Sequence, residues 1–220
     1  KQTGNIPASA ITESTLKTLF FHGRTSRNWS TNTYRVFHKS LLVFFKWCIQ
    51  QDFVTTNPVT CIEKPKIEQK IPQKLTKQEA MRLLEYVYHY PGFTQFLRCR
   101  NHAIFATFIY SGLRKSELLQ LNYPDVDLLN STIYVRMGKG SKDRIVPISD
   151  TLAESLKRYL VERKKSGNSS PSFFVSSQHN KSFTDDGLKH LVKKTQQITG
   201  LKFSVHKLRH SFATLMIEGG

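Results

Sequence analysis

The chain has 220 residues, 39% hydrophobic and 11% aromatic, enough to bury one large core or two modest ones and too apolar for a disordered polymer. Lys and Arg outnumber Asp and Glu by 33 to 16, a net charge of +17. Residues 1–73 carry 10 basic and 4 acidic side chains and residues 74–220 carry 23 and 12, so the surplus is not confined to one tail. A polyanion touching both halves fits this distribution through counterion release; an ordinary basic surface fits it as well. The three cysteines, Cys48, Cys61 and Cys99, have no metal-ligand spacing and read as reduced packing residues of a cytosolic protein. The longest purely apolar run, residues 41–45, is far too short to span a bilayer, and no signal peptide is visible.

In chain order, a helix is expected over about 12–21, followed by a basic loop, His22-Gly23-Arg24-Thr25-Ser26-Arg27. The N-cap formers Ser30-Thr31-Asn32 open a longer helix that runs to about Gln51. At 100° per residue, Tyr34, Phe37, Leu41, Phe44, Phe45 and Cys48 fall on one arc, with Arg35, Lys39 and Lys46 opposite. That basic stripe suits a DNA-facing helix, or equally a solvated face. Leu42, Val43 and Trp47 fall between the stripes, so the helix is expected to touch more than one partner element.

Asn57-Pro58 and the polar segment 63–72 form a linker, which divides the chain into a first domain over 1–68, a connector at 69–74 and a second domain over 75–220. Thr76-x-x-Glu79 is a capping box opening a helix through about Tyr90. An apolar helix over roughly 100–110 ends at Ser111-Gly112, and a short helix carries Glu117, Leu118 and Leu121. The period then changes. Residues 132–137 and 144–148 are β-rich and flank a two-glycine connector, a hairpin pattern. Helices resume at about 151–164, 184–199 and 205–218.

Arg114 follows a Ser-Gly break at a helix start, where a guanidinium and nearby backbone N–H groups face an anion; a plain surface ion pair with Glu117, three residues on, is the competing reading. Lys139 lies between two glycines in the hairpin connector, a position that alone signifies little. His206 and Arg209 share a helical face, and His210 adjoins Arg209. A histidine exchanges protons near neutral pH, while an arginine stays charged and grips phosphate oxygens two at a time.

In this order the three segments resemble the tyrosine recombinases, the integrase and Xer group. Ser111-Gly-Leu-Arg-Lys-Ser-Glu117 is similar to that family's first arginine box, residues 138–147 to its hairpin lysine box, and His206-Lys-Leu-Arg-His-Ser-Phe-Ala-Thr214 to its H-x-x-R box. The pattern Thr33-Tyr34, Trp47, Asn57-Pro58 is similar to its core-binding domain. The resemblance implies a mainly α, two-domain protein: a helical core-binding domain, and a mixed α+β catalytic domain with a small antiparallel sheet, closing on duplex DNA as a C-shaped clamp.

It further implies a site-specific recombinase that cuts and rejoins DNA through a 3′-phosphotyrosyl link, with neither metal nor other cofactor. Arg114 and Arg209 would hold the scissile phosphate, Lys139 would protonate the leaving 5′-oxygen, His206 would move the nucleophile's proton, and Glu117 and His210 would support the arginines. Arg24, Arg27, Arg35, Lys39, Lys46, Lys115, Lys142, Arg144 and Lys207 are the expected DNA contacts. All eight tyrosines precede Arg209, and none matches the family's nucleophile. This polypeptide is therefore expected to bind DNA without cutting it and to be a monomer in solution, where the intact protein would form a homotetramer on DNA, cytoplasmic and associated with the nucleoid. A non-catalytic relative acting by occupying sites is the alternative.

Overall fold

A computed structural model of the chain describes residues 6–66, 75–136, 143–178 and 180–218. The expected connector at 69–74, Lys139 and Lys142 lie outside them. Contacts divide the chain into two compact units, Lys1–Ile71 and Pro72–Gly220.

In the first unit, helix α1 (Glu13–Thr25) is capped by the Thr12 hydroxyl and α2 (Thr31–Gln50) by the Ser30 hydroxyl, each accepting from an N–H three residues on. Residues 22–25, expected in a loop, form the last turn of α1. A Cβ on Gly23 would come within 2.2 Å of the Trp29 ring, so this helical glycine makes room for the indole, and the helix continues through it.

The core joins Leu16 and Phe20 of α1 to Tyr34 and Phe45 of α2 and to Val59 and Ile62. The expected apolar arc of α2 is therefore rotated. His38 is 2% exposed, its Nε2–H donating to the Ile62 carbonyl at 2.9 Å, whereas Phe37 and Phe44 are each 43% exposed. The partner elements approach from the Tyr34–His38–Phe45 side, where the imidazole is hydrogen-bonded at Nε2 while its buried Nδ1 has no partner among the described residues. Phe37 instead lies flat on Trp29, with ring centroids 4.3 Å apart. Val43 and Trp47 remain exposed.

The second unit is built around α4 (Gln95–Ser111), which is buried on nearly every face because α3 (Lys77–His89), α6 (Asp150–Lys165) and α8 (Val205–Glu218) all pack on it. Its start, at the Thr94 cap, lies five residues before the expected one. The Thr76–Glu79 capping box forms at the head of α3. Helix α5 (Lys115–Gln120) leads into an antiparallel sheet ordered β1 (Val126–Asp127), β2 (Thr132–Val135), β3 (Arg144–Pro147), with Val135 opposite Arg144. The two-residue β1 is too short for any periodicity to announce it. Helix α7 (Asp185–Thr199), capped by Thr184, completes the unit. The molecule is thus mainly helical with one small antiparallel sheet. Among the described residues, no helix is long and apolar enough to cross a membrane.

Candidate active site

The site begins where α4 stops. Gly112 takes a left-handed conformation, φ 59°, and a Cβ there would stand 2.4 Å from Cδ1 of Phe212 on α8. Both facts require glycine, and together they let α8 approach the α4–α5 turn. Leu113 is fully buried behind the turn, which leaves Arg114 as the residue preceding α5.

Glu117, in the first turn of α5, is the hub. Its Oε2 accepts the Arg114 backbone N–H at 2.7 Å and its Oε1 accepts Arg114 Nη1 at 2.7 Å. From β3, Arg144 grips the same carboxylate with two parallel bonds, Nη1 to Oε1 at 2.8 Å and Nη2 to Oε2 at 2.7 Å. Arg209 on α8 brings Nη1 within 3.9 Å of Oε2 and donates from that nitrogen to the Gly112 carbonyl. Three guanidinium groups from three elements therefore meet at one carboxylate.

The electrostatics follow from that count. Burial pushes the Glu117 carboxyl up, but hydrogen bonds from Arg144 and Arg114 outweigh it and hold the pKa at about 2. Arg144 is raised by its bond to Glu117. Arg209 is lowered, by burial first and then by repulsion from Arg114, with Glu117 opposing. One negative charge among three positive ones leaves a surplus that a tetrahedral oxyanion would neutralise. The arginine side chains remain 32–39% exposed while Glu117 is nearly sealed, so the cluster's open side is its cationic side.

His206 lies one turn before Arg209 on α8, exposed, with the His210 ring edge-on at a centroid distance of 4.5 Å. The structure thus gathers Arg114, Glu117 and Arg209 into one cluster and sets His206 and His210 on the helix that carries Arg209. The expected DNA contacts are more scattered. Lys115 pairs with Asp185 of α7 at 2.8 Å, Arg35 donates to the Pro65 carbonyl at 3.0 Å, and Lys207 Nζ lies 3.5 Å from the Lys202 carbonyl. Arg24, Arg27, Lys39 and Lys46 are exposed on the first unit.

Two participants were not singled out by sequence. The Gly112 carbonyl is a backbone acceptor, signalled only by the glycine that ends α4. Ser211, fully buried, accepts the Leu75 backbone N–H at 3.0 Å and donates to the Lys207 carbonyl, which fastens α8 to the entry of α3. Among the described residues, no group of three or more His, Cys, Asp or Glu side chains is placed to hold a metal ion.

Residues 73–220 match the family model described as the phage integrase family. Tyrosine recombinase XerD of Oceanobacillus iheyensis is 34% identical over 197 residues, covering 87% of this chain and 64% of that protein. Tyrosine recombinase XerC of Thermodesulfovibrio yellowstonii is 34% identical over 190 residues, covering 82% and 61%. The chain thus spans a little over three fifths of the length of these two relatives. Among solved structures, the XerH site-specific recombinase bound to its palindromic difH substrate, in a post-cleavage complex, superposes with a TM-score of 0.74 at 26% identity, over 95% of this chain and 60% of that one.

Proposed function

The chain belongs to the phage integrase family, among the tyrosine recombinases, and we propose that its Arg114–Glu117–Arg209 cluster binds the scissile phosphate of double-stranded DNA in a strand-exchange reaction. The observation that carries this reading is the convergence of two partly exposed arginines, from different elements, on one sealed carboxylate and one backbone carbonyl. Each guanidinium is held on its protein side and keeps donors for a ligand.

Arg114 and Arg209 would bond the two non-bridging oxygens. Charge grows on those oxygens as an attacking oxygen adds to phosphorus, and fixed cations favour that state over the ground state. His206, near the protein surface, would take the proton from the attacking hydroxyl. Lys139, assigned from sequence alone, would give a proton to the departing 5′-oxygen as its bond to phosphorus breaks. His210 packs on the His206 ring and would limit its rotation. In the family a tyrosine supplies the attacking oxygen, and no tyrosine of this sequence is assigned that part.

The same reading makes 1–68 a core-binding domain and 75–220 a catalytic domain, and has the whole protein act as a homotetramer on two DNA sites. Arg24, Arg27, Lys39 and Lys46 would contact phosphates along the duplex. Mutation tests the assignment. In the whole protein, Arg114→Ala should slow strand cleavage by about 100- to 1,000-fold while weakening duplex binding only a few-fold. Parallel loss of cleavage and binding would make Arg114 a positional contact and sink its catalytic assignment.

A further inference from the structure

Sequence placed Arg144 among the DNA contacts, but its geometry points elsewhere. Glu117 accepts four hydrogen bonds: Oε1 from Arg114 Nη1 and Arg144 Nη1, Oε2 from the Arg114 backbone N–H and Arg144 Nη2. A carboxylate has about four lone-pair directions, so these bonds saturate it. Arg144 supplies half of them. Arg209, with Nη1 only 3.9 Å from Oε2, makes no hydrogen bond to the carboxylate and turns to the Gly112 carbonyl instead.

We propose that Arg144 is a positioning residue: by filling Glu117 it keeps that carboxylate from capturing Arg209, and it ties the first residue of β3 to the first turn of α5. The proposal rests on the reading of Arg114 and Arg209 as phosphate ligands. Without Arg144, two lone-pair directions on a buried anion open beside a guanidinium that needs to move about 1 Å to reach hydrogen-bond distance. A bidentate Arg209–Glu117 pair would then compete directly with phosphate for the same donors. Arg144 also sits opposite Val135 at the end of the β2–β3 ladder.

Salt dependence separates the two roles of Arg144. In an Arg209→Ala background, adding Arg144→Ala should leave the slope of log affinity against log salt with a duplex unchanged, because the phosphate contact that Arg144 protects is already gone, while Arg144→Ala alone lowers cleavage by the whole protein about 10- to 100-fold. A further fall in slope of about 0.9 in that background would mark Arg144 as a phosphate ligand and overturn the proposal. The double variant Arg144→Ala/Glu117→Gln supplies a readout that a merely structural role would not move. With the capturing charge gone, adding Arg144→Ala to Glu117→Gln should cost little further cleavage, and a further loss as large as in the wild-type background overturns the mechanism. If Arg144→Ala fails to fold by circular dichroism, Arg144→Lys replaces it. Lysine has one nitrogen where arginine has a fork, so a smaller loss of cleavage is expected, again with no further change of slope in the Arg209→Ala background. Should Arg114→Ala and Arg209→Ala leave both slope and cleavage unchanged, the phosphate-site reading itself fails, independently of Arg144.

Discussion

Glu117 shows how one side chain carries several structural obligations. It is 6% exposed, yet it remains ionised because four hydrogen bonds replace the water it has lost. With its folded pKa at about 2 against an ordinary 4.5, it contributes stability in full above about pH 4.5 and loses it as pH falls toward 2. The wild type should therefore lose roughly 2 kcal/mol more than Glu117→Gln in urea titrations between pH 5.5 and pH 3. Parallel stability curves for the two proteins would contradict this. Half of the arrangement was legible in sequence, since Arg114 and Glu117 lie three residues apart at a helix start. Arg144 was not, because 27 residues, a turn and a sheet separate it from Glu117. Spacing rules describe neighbours on one element and are silent about such pairs.

Among the elements, α8 bears the greatest demand, because it carries His206, Arg209 and His210 while packing on α4 and α3. Its position is set by Phe212 against Gly112 and by Ser211 against Leu75. The second contact satisfies a buried backbone N–H that has no helical partner, at the first described residue of the second unit. Ser211→Ala would leave that donor unpaired and should cost about 1–3 kcal/mol in chemical denaturation. A change below about 0.5 kcal/mol would mean that water or a backbone shift replaces the hydroxyl. Helix starts were legible wherever a hydroxyl cap preceded an amphipathic run, as at Ser30, Thr76 and Thr184. The start of α4 was not, since a helix buried on nearly every face shows no clear period to extend back toward Thr94. The face of α2 was misread for a related reason. Hydrophobic pattern counts Phe37 and Phe44 as core and passes over His38, whose burial depends on the Ile62 carbonyl supplied from outside the helix.

For the whole molecule, the basic surplus in both halves of the sequence and the cationic cluster in the second unit support the proposal that the partner is a polyanion. The mainly helical architecture and the order of the three boxes were legible because each box sits at an element boundary, where glycine, capping residues and charge coincide: the α4–α5 turn, the β2–β3 connector, the α8 start. The joint geometry of the boxes was not, because it depends on α8 and β3 converging on α5. In the function proposed above, this convergence holds a DNA phosphate. The most direct measurement is a structure of the protein on duplex DNA, reading the distance from the nearest backbone phosphate to each guanidinium. We predict one phosphate with non-bridging oxygens about 2.7–3.2 Å from nitrogens of both Arg114 and Arg209, and Arg144 still on Glu117. A DNA track that leaves both arginines without a phosphate, or one that seats the phosphate on Arg144, would contradict the account.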